Sequence, residues 1–181
     1  MTALIVGGSK SGKSSLAQEI AVSLAGTGPL YYLATMVPRD GEDLARIARH
    51  LEDRAGMGFT TVEQGKNLPG CLARADREGT FLLDSVTALL TNEFFPPERD
   101  YAPDDHAGQR VGDDILSFSH AVRHLVVVAD DLFRDAARYD EATESYRQAL
   151  GDILCRVADR AELVVEMTMG NPVVHKGVLN L

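Results

Sequence analysis

The chain has 181 residues, 45% of them apolar, which suits one domain with a buried core spanning 1–181. Its formal net charge of −9 argues against a general nucleic-acid binder, but a nucleotide site needs only local positive charge. No apolar run approaches the about 20 residues of a bilayer span and no signal peptide is evident, while two widely separated cysteines, Cys71 and Cys155, favour a reduced, cytoplasmic setting.

In chain order, the first expected strand is "ALIV" (3–6), followed by a glycine–serine loop and a helix over Ser14–Leu24. "LYYLA" (30–34) reads as a second strand and Glu42–Arg54 as a second helix. "FLLD" (81–84) precedes a helix over Val86–Asn92. The stretch 92–114 holds three prolines and many acids and reads as an irregular loop, a functional lid or a surface insertion. A helix over Asp113–His124, the strand "LVVVA" (125–129), a helix over Thr143–Arg160 and the strand "LVVEM" (163–167) complete the pattern. The strand runs are nearly continuous rather than alternating, as in strands buried on both faces of a parallel sheet. Their alternation with helices predicts a three-layer α/β fold.

Gly7 to Ser14 spell G-G-S-K-S-G-K-S, a match to G-x-x-x-x-G-K-[ST] between a strand and a helix. Glycines at Gly7 and Gly12 permit close approach of phosphate and dihedrals closed to other residues. Backbone N–H groups and the helix N-terminus then face the anion. The expected nucleotide-binding set is Gly7, Gly8, Ser9, Lys10, Ser11, Gly12, Lys13, Ser14 and Ser15. Lys13 is expected on the β- and γ-phosphates, as a catalytic residue, and the Ser14 hydroxyl on Mg²⁺. Asp84, ending an apolar strand, is the expected second Mg²⁺ ligand at the carboxyl edge beside the loop; capping the next helix with Ser85 is its alternative role.

In the second helix Leu44, Ile47, Ala48 and Leu51 follow the i, i+3, i+4, i+7 rule and are expected to be buried. His50 lies off that stripe, with Arg46 and Arg54 at i−4 and i+4. Such a flank can hold an anionic phosphate, and a neutral imidazole can attack an α-phosphorus to form a nucleotidyl intermediate. A solvated surface is the other reading of the same residues.

The chain resembles the bifunctional adenosylcobinamide kinase / adenosylcobinamide-phosphate guanylyltransferase family. The likeness rests on "GGSKSGKS", "YLAT" (32–35), the series Asp40, Glu42, Arg46-Ile47, His50 and Arg54, "LLDSVTALLTN" (82–92), "YRQALGDILCRVADRAELVV" (146–165) and "GNPVVHKG" (170–177). The resemblance implies a RecA-like P-loop fold, a mostly parallel sheet with helices on both faces, assembled as a homo-trimer. It implies phosphorylation of adenosylcobinamide by ATP or GTP, then GMP transfer from GTP through a guanylylated histidine, with His50 at that position. Arg46, Arg54 and Asp84 would contact the nucleotide. The chain departs where the family has Asn-Glu-Val-Gly after the strand at 125–129. Here "ADDLFRDAARYDEATESYR" (129–147) follows, with Asp130 a replacement for the Glu. Leu154-Cys155 replace the family's Asn-Gln. The acidic stretch also reads as an exposed helix replacing a functional loop. Two rival functions remain: another small-molecule P-loop kinase without guanylyl transfer, and a non-catalytic nucleotide-binding regulator.

His120 and His124 share a helical spacing that metals use, but lack a third ligand and read as structural. Asp104-Asp105-His106 reads as solvated, Cys155 as core and Cys71 as unactivated.

Overall fold

A computed structural model describes residues 1–179. Its elements are β1 (Thr2–Gly7), α1 (Lys13–Ala25), β2 (Leu30–Ala34), α2 (Gly41–Asp53), β3 (Thr60–Glu63), β4 (Thr80–Asp84), α3 (Val86–Phe94), α4 (Ala107–Ala121), β5 (His124–Asp130), α5 (Glu141–Arg160), β6 (Leu163–Thr168) and β7 (Asn171–Lys176). Short 3-10 turns cover Leu68–Ala73 and Pro97–Arg99. No described helix is long and apolar enough to cross a membrane.

The strands form one sheet in the order β3-β2-β4-β5-β1-β6-β7, parallel except for β7. Continuous apolar runs pack on both faces. Ala3, Ile5, Leu82, Val126 and Val128 meet Leu16 and Ile20 of α1. Leu4, Phe81, Leu83 and Val127 meet Leu89, Phe118 and Leu150 from α3, α4 and α5. Phe81 stacks on Tyr31 at 4.8 Å and meets Phe118 edge-on at 5.1 Å. Such pairs add about 0.5–1.5 kcal/mol each to simple burial.

All five expected strands form. The fold also has β3 and β7, which were not expected. β3 is four residues long with a single buried side chain, and every residue of β7 is exposed. Neither edge strand carries the apolar run that marks an interior one. The expected loop at 92–114 is partly helical: α3 runs on to Phe94 and α4 starts at Ala107. Gly108 and Gly112 there sit against Ala149 and Arg156 of α5, where a side chain would collide. Close packing between α4 and α5 overrides the weak helix propensity of glycine.

Three further expectations are corrected. α4 ends at Ala121, so His124 lies in β5 and shares no helix with His120. Cys155 is exposed rather than core, lining a groove of about 640 Å³ between α4 and α5. Residues 131–140 form a loop, not the exposed helix that the acidic stretch also suggests, while α5 starts at Glu141, just before the expected Thr143. Arg147 holds that loop: its Nε donates to the Leu132 carbonyl at 3.2 Å, and its guanidinium lies 5.0 Å from the Tyr139 ring centroid.

Candidate nucleotide-binding site

The phosphate loop joins β1 to α1 as expected. A Cβ on Gly7 would stand 2.5 Å from Ser11 Oγ and 2.9 Å from the Met167 carbonyl oxygen, so only glycine fits. Gly12 has φ of +91° and Lys10 φ of +57°, both in the left-handed region. Left-handed residues at such positions bend a loop backbone into the kind of concavity in which N–H groups can face an anion. α2, α3 and α5 have side-chain caps from Asp40, Ser85 and Asp140, whereas Gly12 offers α1 none. The first N–H groups of α1 thus stay available to an anion. Gly8, Ser9, Lys10 and Ser15 are exposed, while Ser11 is buried and its hydroxyl has no hydrogen-bond partner among the described residues.

Lys13 starts α1 and turns back over the loop. Its Nζ donates to the Gly8 carbonyl at 3.2 Å and lies 2.8 Å from Asp130 Oδ1. Asp130 ends β5 and pairs in register with Gly7. Asp84 ends β4, but β5 intervenes between β4 and β1. Asp84 thus stands at the same carboxyl edge of the sheet as the loop, but its strand is two sheet spacings, about 10 Å, from β1. Asp84 Oδ2 instead accepts a hydrogen bond from the Tyr32 hydroxyl at 2.9 Å. Burial, then the Asp84 charge and hydrogen bond, push the Tyr32 phenol far above its ordinary pKa and keep it a donor. Ser85 caps α3 by accepting from the Ala88 N–H, so the cap role falls to it rather than to Asp84.

The expected Mg²⁺ donors, the Ser14 hydroxyl and Asp84 carboxylate, are hard oxygens of the kind this ion prefers. Among the described residues no group of three or more His, Cys, Asp or Glu side chains forms an all-protein cage. A pair of protein oxygens completed by phosphate and water fits Mg²⁺ better than such a cage.

The residues of α2 are arranged differently. No residue of this helix is buried; Leu44 is 58% and Leu51 48% exposed. The expected buried stripe therefore faces outward, because α2 stands off the sheet instead of packing on it. Arg46 is exposed, and the buried Nδ1 of His50 has no hydrogen-bond partner among the described residues. Arg54 does not share their flank. It follows the helix as its C-cap and is buried, with its guanidinium 3.9 Å from the Tyr32 ring centroid. It donates to the His50 carbonyl at 2.7 Å and to Thr61 Oγ1 at 3.2 Å. Arg54 therefore ties the His50 end of α2 to Tyr32, and through Tyr32 to Asp84.

Two further residues of the quoted motifs have structural work. Thr35 Oγ1 accepts from the Ser85 N–H at 2.7 Å and donates to its carbonyl. Asn92 donates to the carbonyls of Thr35 and Gly65. Burial pushes the Cys71 thiol up to about 11, in line with an unreactive core position.

Known proteins are similar to this chain in sequence and in fold. The family described as cobinamide kinase / cobinamide phosphate guanyltransferase matches residues 3–175. The chain is 28% identical over 179 residues to the bifunctional adenosylcobalamin biosynthesis protein CobP of Pseudomonas aeruginosa, covering 98% of each. It is 32% identical over 106 residues to the CobU counterpart of Escherichia coli, covering 58% of this chain and 56% of that one. Its fold is similar to the flagellar accessory protein FlaH of Methanocaldococcus jannaschii, with TM-score 0.52 at 10% identity, covering 97% of this chain and 78% of that one. It is also similar to an ATPase from the type III secretion system of pathogenic bacteria, with TM-score 0.53 at 15% identity, covering 92% and 52%. The fold is thus that of a P-loop NTPase, and with a family match across nearly its whole length the chain belongs to the cobinamide kinase / cobinamide phosphate guanylyltransferase family of cobalamin biosynthesis.

Proposed function

We propose that both family reactions, phosphorylation of adenosylcobinamide by ATP or GTP and GMP transfer from GTP to the phosphorylated product, use the phosphate loop of this one domain. The observation that carries this reading is Lys13 Nζ, poised across the mouth of a loop whose α1 N–H groups are uncapped. Gly7 to Ser15 cradle the phosphates, and Lys13 neutralises charge that develops on the transferred group. Ser14 and Asp84 would hold Mg²⁺, which when bound with the nucleotide lowers the charge on its phosphates. Tyr32, hydrogen-bonded to Asp84, orients that carboxylate.

GMP transfer runs through His50 in this reading. Its neutral imidazole attacks the α-phosphorus, pyrophosphate leaves, and the guanylyl group passes to the phosphate of the corrinoid. Arg46 holds the GTP phosphates beside it, and Arg54 acts from beneath as the tether of α2. The exposed Leu44 and Leu51 support a second part of the proposal: α2 packs against a neighbouring copy in the homo-trimer that the family likeness implies. Two free thiols suit a cytoplasmic setting.

The test is incubation with GTP labelled at the α-phosphorus. Acid-labile, base-stable label on the wild type and none on His50→Ala is the expected result. Label that persists in His50→Ala removes the histidine intermediate. Kinase activity with no label on either protein leaves a small-molecule kinase, and neither activity leaves a non-catalytic nucleotide binder.

A further inference from the structure

Three partnered acids lie on or just after β5 and β6, the strands that flank β1. Asp131 is held by Arg134 at 2.5 Å, and Glu166 by Arg134, His175 and Thr168. Asp130 alone of these turns to Lys13. Its position is well determined: it ends β5 opposite Gly7, and its backbone N–H donates to Thr87 Oγ1 at 2.9 Å. The Thr87 carbonyl in turn accepts from the Tyr146 hydroxyl at 3.0 Å. The Asp130 side chain keeps 27% of its surface open to solvent.

Once a nucleotide takes Lys13 onto its phosphates, the Asp130 carboxylate is left beside an anion and without its cation. The group that best satisfies it there is a hydrogen-bond donor arriving against the γ-phosphate. The two reactions differ in this respect. The kinase acceptor is an alcohol, which must lose a proton as it attacks. The acceptor in GMP transfer is a phosphate, already anionic.

We propose that Asp130 is the general base of the kinase reaction, a catalytic residue that serves the hydroxyl acceptor and not the phosphate acceptor. This rests on the functional reading above. The acceptor oxygen forms a bond to the γ-phosphorus, and its proton passes to the Asp130 carboxylate. The bond from the γ-phosphorus to the β–γ bridging oxygen breaks, and its electron pair leaves with the nucleoside diphosphate. Asp130 then returns the proton to solvent. Asp84, one strand further from β1 and bonded to Tyr32, is free of this duty.

The experiment compares wild type, Asp130→Asn and Asp130→Glu in three assays: phosphorylation of adenosylcobinamide, GMP transfer to adenosylcobinamide phosphate, and binding of a fluorescent GTP analogue. Asp130→Asn is expected to lower kinase kcat by about 10²–10⁴-fold, the usual contribution of a positioned base. GMP transfer should change by less than about threefold and nucleotide binding should not weaken, which also reports that the variant is folded. Asp130→Glu is expected to recover part of the kinase rate. Equal loss in both transfers overturns the inference, because Asp130 then acts only by positioning Lys13. An unchanged kinase rate in Asp130→Asn, with an active wild type, also overturns it and leaves the functional reading standing. A wild type that phosphorylates no adenosylcobinamide overturns both.

Discussion

The phosphate loop and α2 carry the two halves of the proposed chemistry on very different foundations. Lys13 sits at the start of a helix packed on the central strands, and its neighbours are the ends of β1 and β5. His50 sits on a thirteen-residue helix that has no fully buried residue and is held at one end by Arg54. The contrast fits the demands of the two groups. Stabilising charge on a transferred phosphate requires donors that do not move. A nucleophile that must reach an α-phosphorus and then a second acceptor gains from a helix with few contacts to break.

The largest expected effect tests the rigid half. Lys13→Ala should cost about 10³-fold, some 4 kcal/mol, in both transfers, since both depend on charge at the same loop. If either activity survives at the wild-type rate, the two reactions do not share this loop. Next is the core beneath it. Leu83→Ala, at a fully buried position, should cost about 2–5 kcal/mol in chemical denaturation.

Arg54→Ala tests the tether. It removes the ring stack on Tyr32 and the bond to the His50 carbonyl, and should slow GMP transfer about tenfold, or about 1.4 kcal/mol. The kinase assay should be less affected. Equal slowing of both assays would mean that Arg54 supports the sheet and not the helix.

Leu44→Ala is the outward-facing counterpart of Leu83→Ala. In the isolated chain its effect on stability should stay within about 0.5 kcal/mol. A larger loss that grows with protein concentration would show that the α2 stripe is covered by another copy. The smallest effect is a control far from both regions, at the start of β5. Burial, then the N-terminal ammonium and Arg123, hold the His124 imidazole below its ordinary pKa. The unfolded chain therefore binds the extra proton first, so stability rises with pH from the folded value up to about 6.5 and is lost on acidification through that window. Unfolding curves between about pH 7.5 and 5.5 should show this slope flattened in His124→Gln.

Much of this molecule is legible in the chain itself. Strands buried on both faces must be continuously apolar, and a phosphate loop must place glycines where a Cβ would collide. "ALIV", "FLLD", "LVVVA" and "GGSKSGKS" therefore announce the sheet and its nucleotide end without any structure. The edge strands β3 and β7 give no such signal, because half or more of an edge strand faces water.

What the chain alone settled was local: a phosphate loop between a strand and a helix, a family likeness, and a histidine between two arginines. Only the tertiary structure decided which groups meet. An amphipathic period says that one face of α2 is apolar, but not whether this chain or another covers it. Helical spacing put Arg54 beside Arg46, yet Arg54 lies at the C-cap, where the helix has ended and its side chain turns inward to Tyr32. Strand order is likewise invisible in a sequence, and it is strand order that inserts β5 between β1 and β4 and sets Asp130, not Asp84, against Lys13. Those pairings are contacts between residues far apart in the chain, which burial and sheet register create and no local pattern encodes.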